Sequence, residues 1–418
     1  MKVGYVLLDG CGDRPVPSLN LTTPLESAHT PNLDRIAGKA NLGSVTTVGR
    51  GIAPESDIAV FNMLGYSFSA GYPGRGVIEA VGAGLKLRDG DLALRANLAS
   101  AKGRKIIDRR AGRNLTQAEA EGLAKEMNEI KLSDASFQFK ATISYRGVLV
   151  LRADRPLSAA VSNTDPAYAR VGGFGAAKET SSSDAVMQST AETDADGAKL
   201  AARLVNEFTS KALQVLNSSV VNKERVRQGK LPANCVLLRD AGDHLPRLQP
   251  FAKRYGMKGT ALVEMPAEVG IAELLGMKKV SIRNRNDMKG KADLFASELA
   301  DGAFVYVHIK GPDEFGHDGD ARGKKMCIES IDRDFFSTAA ELLGGTKLAV
   351  SCDHATPCAL KMHSDDPVPL LVTTESRGDG RRFTEANARL GSLGHLKGSE
   401  VLDLVVSGAV RRRTSSAA

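Results

Sequence analysis

Short and nearly uninterrupted apolar runs recur along this chain, and they constrain its fold more than any other feature. They are KVGYVLLD at the N-terminus and, after residue 255, TALVEM, KKVSI, GAFVYVHIK, TKLAVSCD and VPLLVTT. Runs of this kind are typical of strands that are covered on both faces of a sheet. Helical patterns separate several of them, as in KADLFASELADG. The alternation predicts an α/β fold whose mainly parallel sheet is flanked by helices.

The middle of the chain has a different composition. Residues from about 90 to 230 are rich in Ala, Ser, Asp and Arg, and they contain a strand candidate, YRGVLVLRAD, and a helical run from about 194 to 217. Because 418 residues are too many for one ordinary core, we predict a smaller α/β domain inserted at 89–233. The core domain is then discontinuous, 1–88 and 234–418, and its sheet resumes at NCVLLRD. Inserted domains of this kind usually cover the substrate site.

Several functional classes are disfavoured by composition. No apolar run reaches the roughly 18 residues that a membrane-spanning helix needs, and the N-terminus lacks the features of a signal peptide. We therefore expect a cytoplasmic protein with no membrane partner. The five Cys are scattered without a CxxC pair, which argues against a disulfide framework or a thiolate zinc site.

The net charge of +7 includes three charges in the tail Arg411–Arg413. A solvated chain end explains this tail better than a nucleic-acid contact. Trp is absent and aromatic residues are 5% of the chain, so no platform for stacking bases is evident. A basic protein suits a small anionic substrate, and we expect one, without a nucleic-acid partner. Nothing in the sequence indicates an oligomeric state.

Three of the predicted strands end in acidic or His residues. Asp9 closes the first strand, GAFVYVHIK runs into GPDEFGHDGD, and TKLAVSCD runs into DHATPCALKMH. The carboxyl ends of strands are where α/β sheets bind ligands. Carboxylates and imidazoles that converge there predict a metal site.

The spacing of the polar residues supports this prediction. Asp313 and His317 are four residues apart in GPDEFGHDGD, whose Gly and Pro favour a loop rather than a helix. Asp353 and His354 stand together at a strand end, and His363 follows nine residues later. A polar surface turn is the alternative for either segment alone. However, three of the seven His in the chain fall in these two segments, which favours metal ligands.

Ser56, in GRGIAPESDIAVFNMLGY, is the candidate nucleophile at a predicted helix start. Ser-Asp before an apolar pattern is also an ordinary N-cap signature, and the two interpretations are compatible. Free backbone N–H groups at a helix N-terminus favour a phosphate, and a divalent ion lowers the pKa of a bound hydroxyl group. His308, inside an apolar strand, is better explained as a His of the core or near the site than as a ligand.

Together these segments resemble the archaeal-type, cofactor-independent phosphoglycerate mutases, a branch of the alkaline-phosphatase superfamily. The motifs run from the N-terminus to about residue 395 and are LLDGCGDRP, TPLESAHTPNLDRIA, GIAPESDIAVFNMLGY, GRGVIEAVGAG, DRRAGR, VHIKGPDEFGHDGD and SCDHATPCALKMHSDDPVP. The resemblance implies an alkaline-phosphatase-like core interrupted by a cap domain. It also implies interconversion of 3-phosphoglycerate and 2-phosphoglycerate through a phosphoserine at Ser56, without bisphosphoglycerate.

The resemblance further implies two metal centres. One ion would be held by Asp313, His317 and His363, and the other by Asp9, Ser56, Asp353 and His354. Mn²⁺ is the ion that the family favours, with Mg²⁺, Zn²⁺ and Co²⁺ as alternatives. Asp and His ligands by themselves do not choose among these ions.

The substrate contacts implied by the resemblance are mostly basic. Arg can grip a carboxylate or a phosphate with two parallel hydrogen bonds, although a solvated charged loop is the alternative for each Arg alone. An Asp before Pro could bind the substrate hydroxyl groups or relay a proton, or simply begin a turn. The candidates are Arg95, Arg109, Arg110, Arg113, Asp165 and Lys310.

Other activities share the same metal core within the superfamily. They include phosphatases, phosphodiesterases, sulfatases, phosphopentomutase and relatives linked to homoserine phosphorylation. A Ser nucleophile disfavours members that use Thr or a modified Cys. Mutase and hydrolase differ in whether water is kept out and the glycerate retained. A non-enzymatic, RNA-associated role for the Arg tail is not supported by any recognisable motif.

Overall fold

The computed structural model describes residues 1–68, 71–171, 174–177, 184–375 and 377–409. The tail Arg411–Arg413 lies outside the described residues. The chain forms two compact units. Unit 1 contains Met1–Ser67, Leu248–Glu264 and Leu275–Ala418, and unit 2 contains Phe68–Arg247 and Met265–Leu274. Unit 2 therefore extends beyond the 89–233 expected for the inserted domain.

The strands of the described residues are, in chain order, β1 (Lys2–Leu8), β2 (Ala40–Thr46), β3 (Leu92–Lys102), β4 (Lys105–Asp108), β5 (Ala135–Ala141), β6 (Arg146–Ala153), β7 (Tyr168–Val171), β8 (Phe174–Ala177), β9 (Cys235–Gly242), β10 (Gly259–Val263), β11 (Lys278–Ser281), β12 (Phe304–Ile309), β13 (Thr346–Cys352), β14 (Val368–Thr373) and β15 (Gly394–Lys397).

The α-helices are α1 (Pro24–Ser27), α2 (Pro31–Ala37), α3 (Ser56–Met63), α4 (Arg75–Gly82), α5 (Gln117–Asn128), α6 (Asp196–Ser218), α7 (Val220–Arg227), α8 (Phe251–Tyr255), α9 (Pro266–Leu274), α10 (Met288–Asp301), α11 (Pro312–Asp318), α12 (Ala321–Ile331), α13 (Ser337–Glu341), α14 (Glu385–Arg389) and α15 (Gly398–Ser407). Among the described residues, no helix combines the length and the apolar character needed to cross a membrane.

Unit 1 is built on an eight-stranded sheet in the order β11-β10-β12-β1-β13-β14-β2-β15. Of its described strands only β14 runs against its neighbours, so the predicted mainly parallel sheet flanked by helices is confirmed. Strand β1 lies between β12 and β13 and is parallel to both. The carboxyl ends of these three strands therefore meet at one edge of the sheet.

Unit 2 contains a five-stranded antiparallel sheet, β4-β3-β6-β5, with β9 also paired to β3. The expectation that NCVLLRD resumes the core sheet is wrong, because this segment is β9 and pairs with β3 in register Arg95↔Arg239. A short apolar run fits the centre of either sheet and does not encode its partner. The predicted helical run is α6, and its buried face packs on this sheet through Phe208 and Phe139.

The expectation of a loop in GPDEFGHDGD is also wrong, because Pro312–Asp318 form α11. Pro312 occupies the first turn of the helix, where its missing N–H group costs nothing. Gly319 ends the helix with a φ of 76°, as C-terminal glycines commonly do. Gly316 lies where a Cβ atom would come 2.4 Å from the carbonyl oxygen of Thr356. Gly319 therefore marks the end of α11, and Gly316 marks the point where the backbone of Thr356 packs against this helix.

A buried carboxyl group, Glu385, connects α14 to two other segments of unit 1. The Asp13 N–H group donates to one carboxyl oxygen at 3.1 Å, and the Thr23 hydroxyl group donates to the other at 2.8 Å. Burial raises the pKa of Glu385 from 4.5 to about 7, against the lowering effect of these hydrogen bonds. The folded protein thus keeps a proton that the unfolded chain loses near pH 4.5.

The pKa of Glu385 predicts a pH-dependent stability. Its contribution to the free energy of unfolding is fully present below about pH 4.5 and is lost as the pH rises through about 7. Between pH 4.5 and 8, the free energy of unfolding of wild type should therefore fall by about 3 kcal/mol relative to that of Glu385→Gln. Thermal unfolding at each pH measures this, with the exposed Glu129→Gln as the control that follows wild type. Parallel profiles for wild type and Glu385→Gln would contradict the account.

Candidate metal centre

The first cluster of candidate ligands consists of Asp313, His317 and His363. Asp313 and His317 are four residues apart on α11 and therefore share a face. His317 Nε2 lies 3.5 Å from Asp313 Oδ2, and His363 Nε2 lies 3.5 Å from Asp313 Oδ1. The two Nε2 atoms are 3.2 Å apart. The structure thus brings together the three residues that the family resemblance implies for one ion.

Hydrogen bonds fix the tautomers of both imidazoles in this cluster. His317 Nδ1 lies 3.1 Å from the Lys361 carbonyl oxygen, and His363 Nδ1 lies 2.8 Å from that of Pro54. A carbonyl oxygen only accepts, so each Nδ1 carries a hydrogen and donates it. Both Nε2 atoms then face each other with lone pairs. A proton or a metal cation bound there relieves this repulsion.

The pKa of His363 reflects the same demand for positive charge. Burial lowers its pKa, but the hydrogen bond with Asp313 and the negative charges of Asp313 and Glu55 raise it to about 9. The pKa of Asp313 lies well below its ordinary value, because His363 and His354 outweigh the effects of burial and of Asp9. Ligating imidazoles typically donate their other ring N–H group to a carbonyl or a carboxylate, and this cluster has that arrangement.

The second cluster surrounds Ser56, the first residue of α3. Its Oγ atom lies 3.2 Å from His354 Nε2 and 3.4 Å from Asp9 Oδ1. His354 Nε2 lies 3.5 Å from Asp9 Oδ1 and 3.3 Å from Asp353 Oδ2. The N-cap of α3 is Glu55, not Ser56, so the hydroxyl group of Ser56 is directed to the cluster and the N-cap interpretation is wrong.

The spacing of these atoms fits bound divalent ions. Metal–ligand bonds of about 2.1 Å place neighbouring ligand atoms about 3.0 Å apart in octahedral geometry and about 3.4 Å apart in tetrahedral geometry. The distances in both clusters fall close to this range. A further group of Asp9, Asp313 and His354, whose ligand atoms lie within 4.8 Å of one another, joins the two clusters. Carboxylate and imidazole donors suit Mn²⁺, Zn²⁺ and Mg²⁺.

His308, which was expected in the core or near the site, is buried beside the second cluster. Its buried Nε2 atom lies 3.2 Å from Asp353 Oδ2 and 3.6 Å from Asp9 Oδ1. Lys310 Nζ lies 3.1 Å from His308 Nδ1 and 3.2 Å from Asp9 Oδ2. The ammonium group can only donate, so His308 Nδ1 accepts. A polar residue near the end of a buried strand was the available signal.

Lys310 also controls the charge of Asp9. Burial raises the pKa of Asp9, but the charge of Lys310 and the neighbouring His354 and His308 outweigh it, so that pKa lies well below its ordinary value. Lys310 stays a candidate substrate contact, and its ammonium group also lies against a candidate metal ligand.

In unit 2, two arginines contact the buried carboxylate of Asp165, which is itself a candidate substrate residue. Arg109 and Arg239 both form ion pairs with it. The guanidinium carbon of Arg239 lies 3.9 Å from the centre of the Tyr168 ring, and that of Arg109 lies 5.1 Å from it. Arg239 also pairs with Asp240 Oδ2 at 3.3 Å, so its charge is shared between two carboxylates. Arg239 was missed by the sequence analysis, although an Arg inside the apolar run NCVLLRD was a signal.

The fully buried Arg225 forms hydrogen bonds with the loop that carries Arg110 and Arg113. The Arg225 guanidinium donates to the Ala111 carbonyl oxygen at 3.1 Å and to Asn114 Oδ1 at 2.8 Å. Ala111 and Arg113 have φ values of 47° and 55°, which non-glycine residues seldom adopt. These bonds compensate for the local strain and fix the path of the loop.

Arg95 has a different environment from the other candidates. It lies in β3 and is buried. Its guanidinium group pairs with Glu79 Oε1 at 2.9 Å and with Asp240 Oδ2 at 3.4 Å. Asp240 also pairs with Arg239 at 3.3 Å, so ion pairs connect the buried Arg95 to the group around Asp165.

Comparison with known proteins gives consistent matches. A family model described as 2,3-bisphosphoglycerate-independent phosphoglycerate mutase matches residues 37–222. Proteins of that name are 42% identical over 422 residues in Aeropyrum pernix, covering 95% of this chain and 97% of the relative, and 39% identical over 417 residues in Methanopyrus kandleri, covering 97% and 95%.

Solved structures agree with these matches. The cofactor-independent phosphoglycerate mutase of Thermoplasma acidophilum has a TM-score of 0.64 and 29% identity, covering 98% of this chain and 100% of that one. A Pyrococcus horikoshii protein has a TM-score of 0.75 at 28% identity, covering 100% of this chain and 99% of that one.

The two clusters predict two separable metal sites. Titration of chelator-treated protein with Mn²⁺ should give two bound ions for wild type and one for His317→Ala, because only the first cluster loses a ligand. His395→Ala is the matched control, since His395 bonds Ser44 and lies outside both clusters, and it should still bind two ions. Two ions bound by His317→Ala at unchanged affinity would contradict the assignment.

Proposed function

The chain belongs to the family of 2,3-bisphosphoglycerate-independent phosphoglycerate mutases and is an isomerase of phosphoglycerate; we propose that it transfers the phosphoryl group through a phosphoserine at Ser56, in a site that binds two divalent metal ions. The observation that carries the proposal is the position of the Ser56 hydroxyl group. It begins α3 and lies 3.2 Å from His354 Nε2 and 3.4 Å from Asp9 Oδ1.

The proposed reaction has two matched half-reactions. Ser56 Oγ attacks the phosphorus of 3-phosphoglycerate, and the bond from phosphorus to the substrate oxygen breaks as the new bond forms. The Ser56 proton balances the released 3-hydroxyl group. The retained glycerate then attacks the phosphoserine through its 2-hydroxyl group, whose proton restores Ser56. No phosphate leaves and no bisphosphoglycerate is needed.

The chain's own groups favour this transfer. The N-terminus of α3 presents backbone N–H groups and the positive end of a helix dipole to the phosphoryl oxygens. Divalent ions held by the two clusters would lower the pKa of Ser56 and neutralise charge on the phosphoryl group. Lys310 holds Asp9 through its second oxygen at 3.2 Å, so Asp9 keeps the other oxygen near Ser56. Lys310 thus orients the carboxylate that lies beside the nucleophile.

We propose Mn²⁺ as the ion, on the family's preference. The ligand atoms are carboxylate oxygens, imidazole nitrogens and one hydroxyl oxygen, which Mg²⁺, Zn²⁺ and Co²⁺ also accept. We also propose a cytoplasmic enzyme without nucleic-acid or membrane partners, because its substrate is a small phosphorylated acid.

The proposed substrate contacts differ in how well their surroundings support them. The Arg109 guanidinium group is partly exposed beside Asp165, which leaves donors for a carboxylate or phosphate. Asp165 accepts bonds from Arg109 and Arg239, so the bonds favour a role in positioning them over proton relay. Arg110 and Arg113, on the strained loop, are proposed to bind a carboxylate or phosphate of the substrate. Arg95 stays in the proposed set, but its burial and its two ion pairs do not support a substrate contact.

The mutase assignment predicts an activity that is independent of bisphosphoglycerate. Protein loaded with Mn²⁺ should convert 3-phosphoglycerate to 2-phosphoglycerate in its absence, with little free phosphate, and a chelator should abolish the activity. A coupled enolase assay and a phosphate assay on the same samples measure both products. Release of phosphate with no isomerisation would instead indicate a phosphatase of the same superfamily.

The nucleophile assignment predicts a specific loss in Ser56→Ala. Removing a nucleophile commonly lowers kcat by at least about a thousandfold, whereas the exposed Ser18→Ala should leave it unchanged. Mass spectrometry of acid-quenched wild type should find phosphate on the peptide that carries Ser56. Retained activity in Ser56→Ala, or phosphate on another residue, would exclude this nucleophile.

A further inference from the structure

Thr356 lies between the two candidate metal clusters. It is the second residue after His354 in the turn that follows β13, and it is fully buried. Its Oγ1 atom lies 2.6 Å from Asp313 Oδ1 and 3.1 Å from His354 Nδ1. Asp313 belongs to the first cluster and His354 to the second. One hydroxyl group therefore contacts a ligand of each centre.

The direction of both hydrogen bonds follows from the chemistry of the partners. A carboxylate can only accept, so the Thr356 hydroxyl group donates its one hydrogen to Asp313. The oxygen of Thr356 can then only accept from His354, which places a hydrogen on His354 Nδ1. The Nε2 atom of His354 is left with its lone pair, facing Ser56 Oγ at 3.2 Å. The same hydroxyl group thus sets the His354 tautomer and orients the Asp313 carboxylate.

The backbone is shaped to admit this hydroxyl group. A Cβ atom on Gly10, which has a φ of +56°, would lie 2.6 Å from Thr356 Oγ1. A Cβ atom on Gly316 would lie 2.4 Å from the Thr356 carbonyl oxygen. Gly10 follows Asp9, and Gly316 precedes His317. Glycine next to a ligand of each cluster therefore permits Thr356 to approach both.

A buried lysine holds Thr356 from the other side. Lys324 Nζ, on α12, donates to the Thr356 carbonyl oxygen at 2.9 Å and to the Gly12 carbonyl oxygen at 3.1 Å. It also pairs with Asp13 Oδ2 at 2.8 Å, and both side chains are fully buried. Thr356 is consequently fixed relative to the segment that follows β1. Its hydroxyl group has little freedom to turn to other partners.

We propose that Thr356 is a positioning residue that couples the two metal centres through its hydroxyl group, by holding Asp313 in one and the Nε2-ligating tautomer of His354 in the other. The inference rests on the proposed function to the extent that both clusters bind ions. It predicts that losing one hydroxyl group weakens two metal sites at once. Hydrogen-bond partners of ligating side chains commonly contribute about 10-fold to 100-fold in metal affinity.

The test compares Thr356→Val, which keeps the shape and removes the hydroxyl group, with Thr356→Ser, which keeps it. Mn²⁺ affinities of both sites are measured by competition with a chelating dye, alongside kcat. We expect both dissociation constants to rise about 10-fold to 100-fold in Thr356→Val and kcat to fall, while Thr356→Ser stays close to wild type. Rescue by Ser would separate the hydroxyl group's role from packing.

The outcomes distinguish this inference from the assignment on which it rests. If wild type binds two ions while Thr356→Val changes neither dissociation constant, or only one of them, the coupling would be overturned but not the two-metal assignment. Fewer than two ions in wild type would overturn the two-metal assignment and the coupling with it. Nitrogen NMR of labelled His in the metal-free wild type gives an answer that needs no variant. His354 should carry its hydrogen on Nδ1, and the opposite tautomer would overturn the proposal.

Discussion

Repulsion among the carboxylates of Asp9, Asp313 and Asp353 is the constraint around which unit 1 is arranged. Parallel strands β1, β12 and β13 bring these groups to one edge of the sheet. Two unit charges about 4 Å apart repel by about 4 kcal/mol at the effective dielectric constant of a protein. Lys310 compensates Asp9 from one side. In their neutral form, the imidazoles of the first cluster turn the lone pairs of their Nε2 atoms toward its centre, which favours a bound cation.

A buried ion pair behind the metal clusters stabilises this edge of the sheet, although neither of its residues is a candidate metal ligand. Lys324 and Asp13 form a fully buried ion pair whose remaining bonds go to backbone groups of the segments after β1 and β13. Asp13 in turn donates its N–H group to Glu385. Removing one member of such a pair leaves a buried charge without its partner, which typically costs about 3–5 kcal/mol. Ligand geometry in unit 1 therefore depends on residues that bind no ligand.

The central strands and most candidate metal ligands could be predicted from the sequence, because apolar runs and the positions of the few His residues are local signals. Apolar runs located β1, β12 and β13, and the concentration of a rare residue type in two segments identified His317, His354 and His363 as neighbours in space. These signals are local, and parallel pairing converts them directly into proximity.

What the sequence did not predict depends on tertiary contacts. The glycines around α11 suggested a loop, yet Gly316 is required by the approach of Thr356, which is distant in sequence. The partner of β9 is decided by pairing with β3 and not by its own apolar residues. His308 and Arg239 each stood within an apolar run, where a buried polar residue is more often structural. Their charged partners come from other strands and loops, so no spacing rule could identify them.

We propose two divalent ions, one in each cluster, with the Ser56 oxygen at the second. Anomalous scattering from crystals of the Mn²⁺-loaded protein tests this proposal most directly. Two peaks are expected, one among Asp313, His317 and His363 and one among Asp9, Asp353 and His354 within bonding distance of Ser56 Oγ. A single peak, or a second peak that Ser56 does not contact, would contradict it.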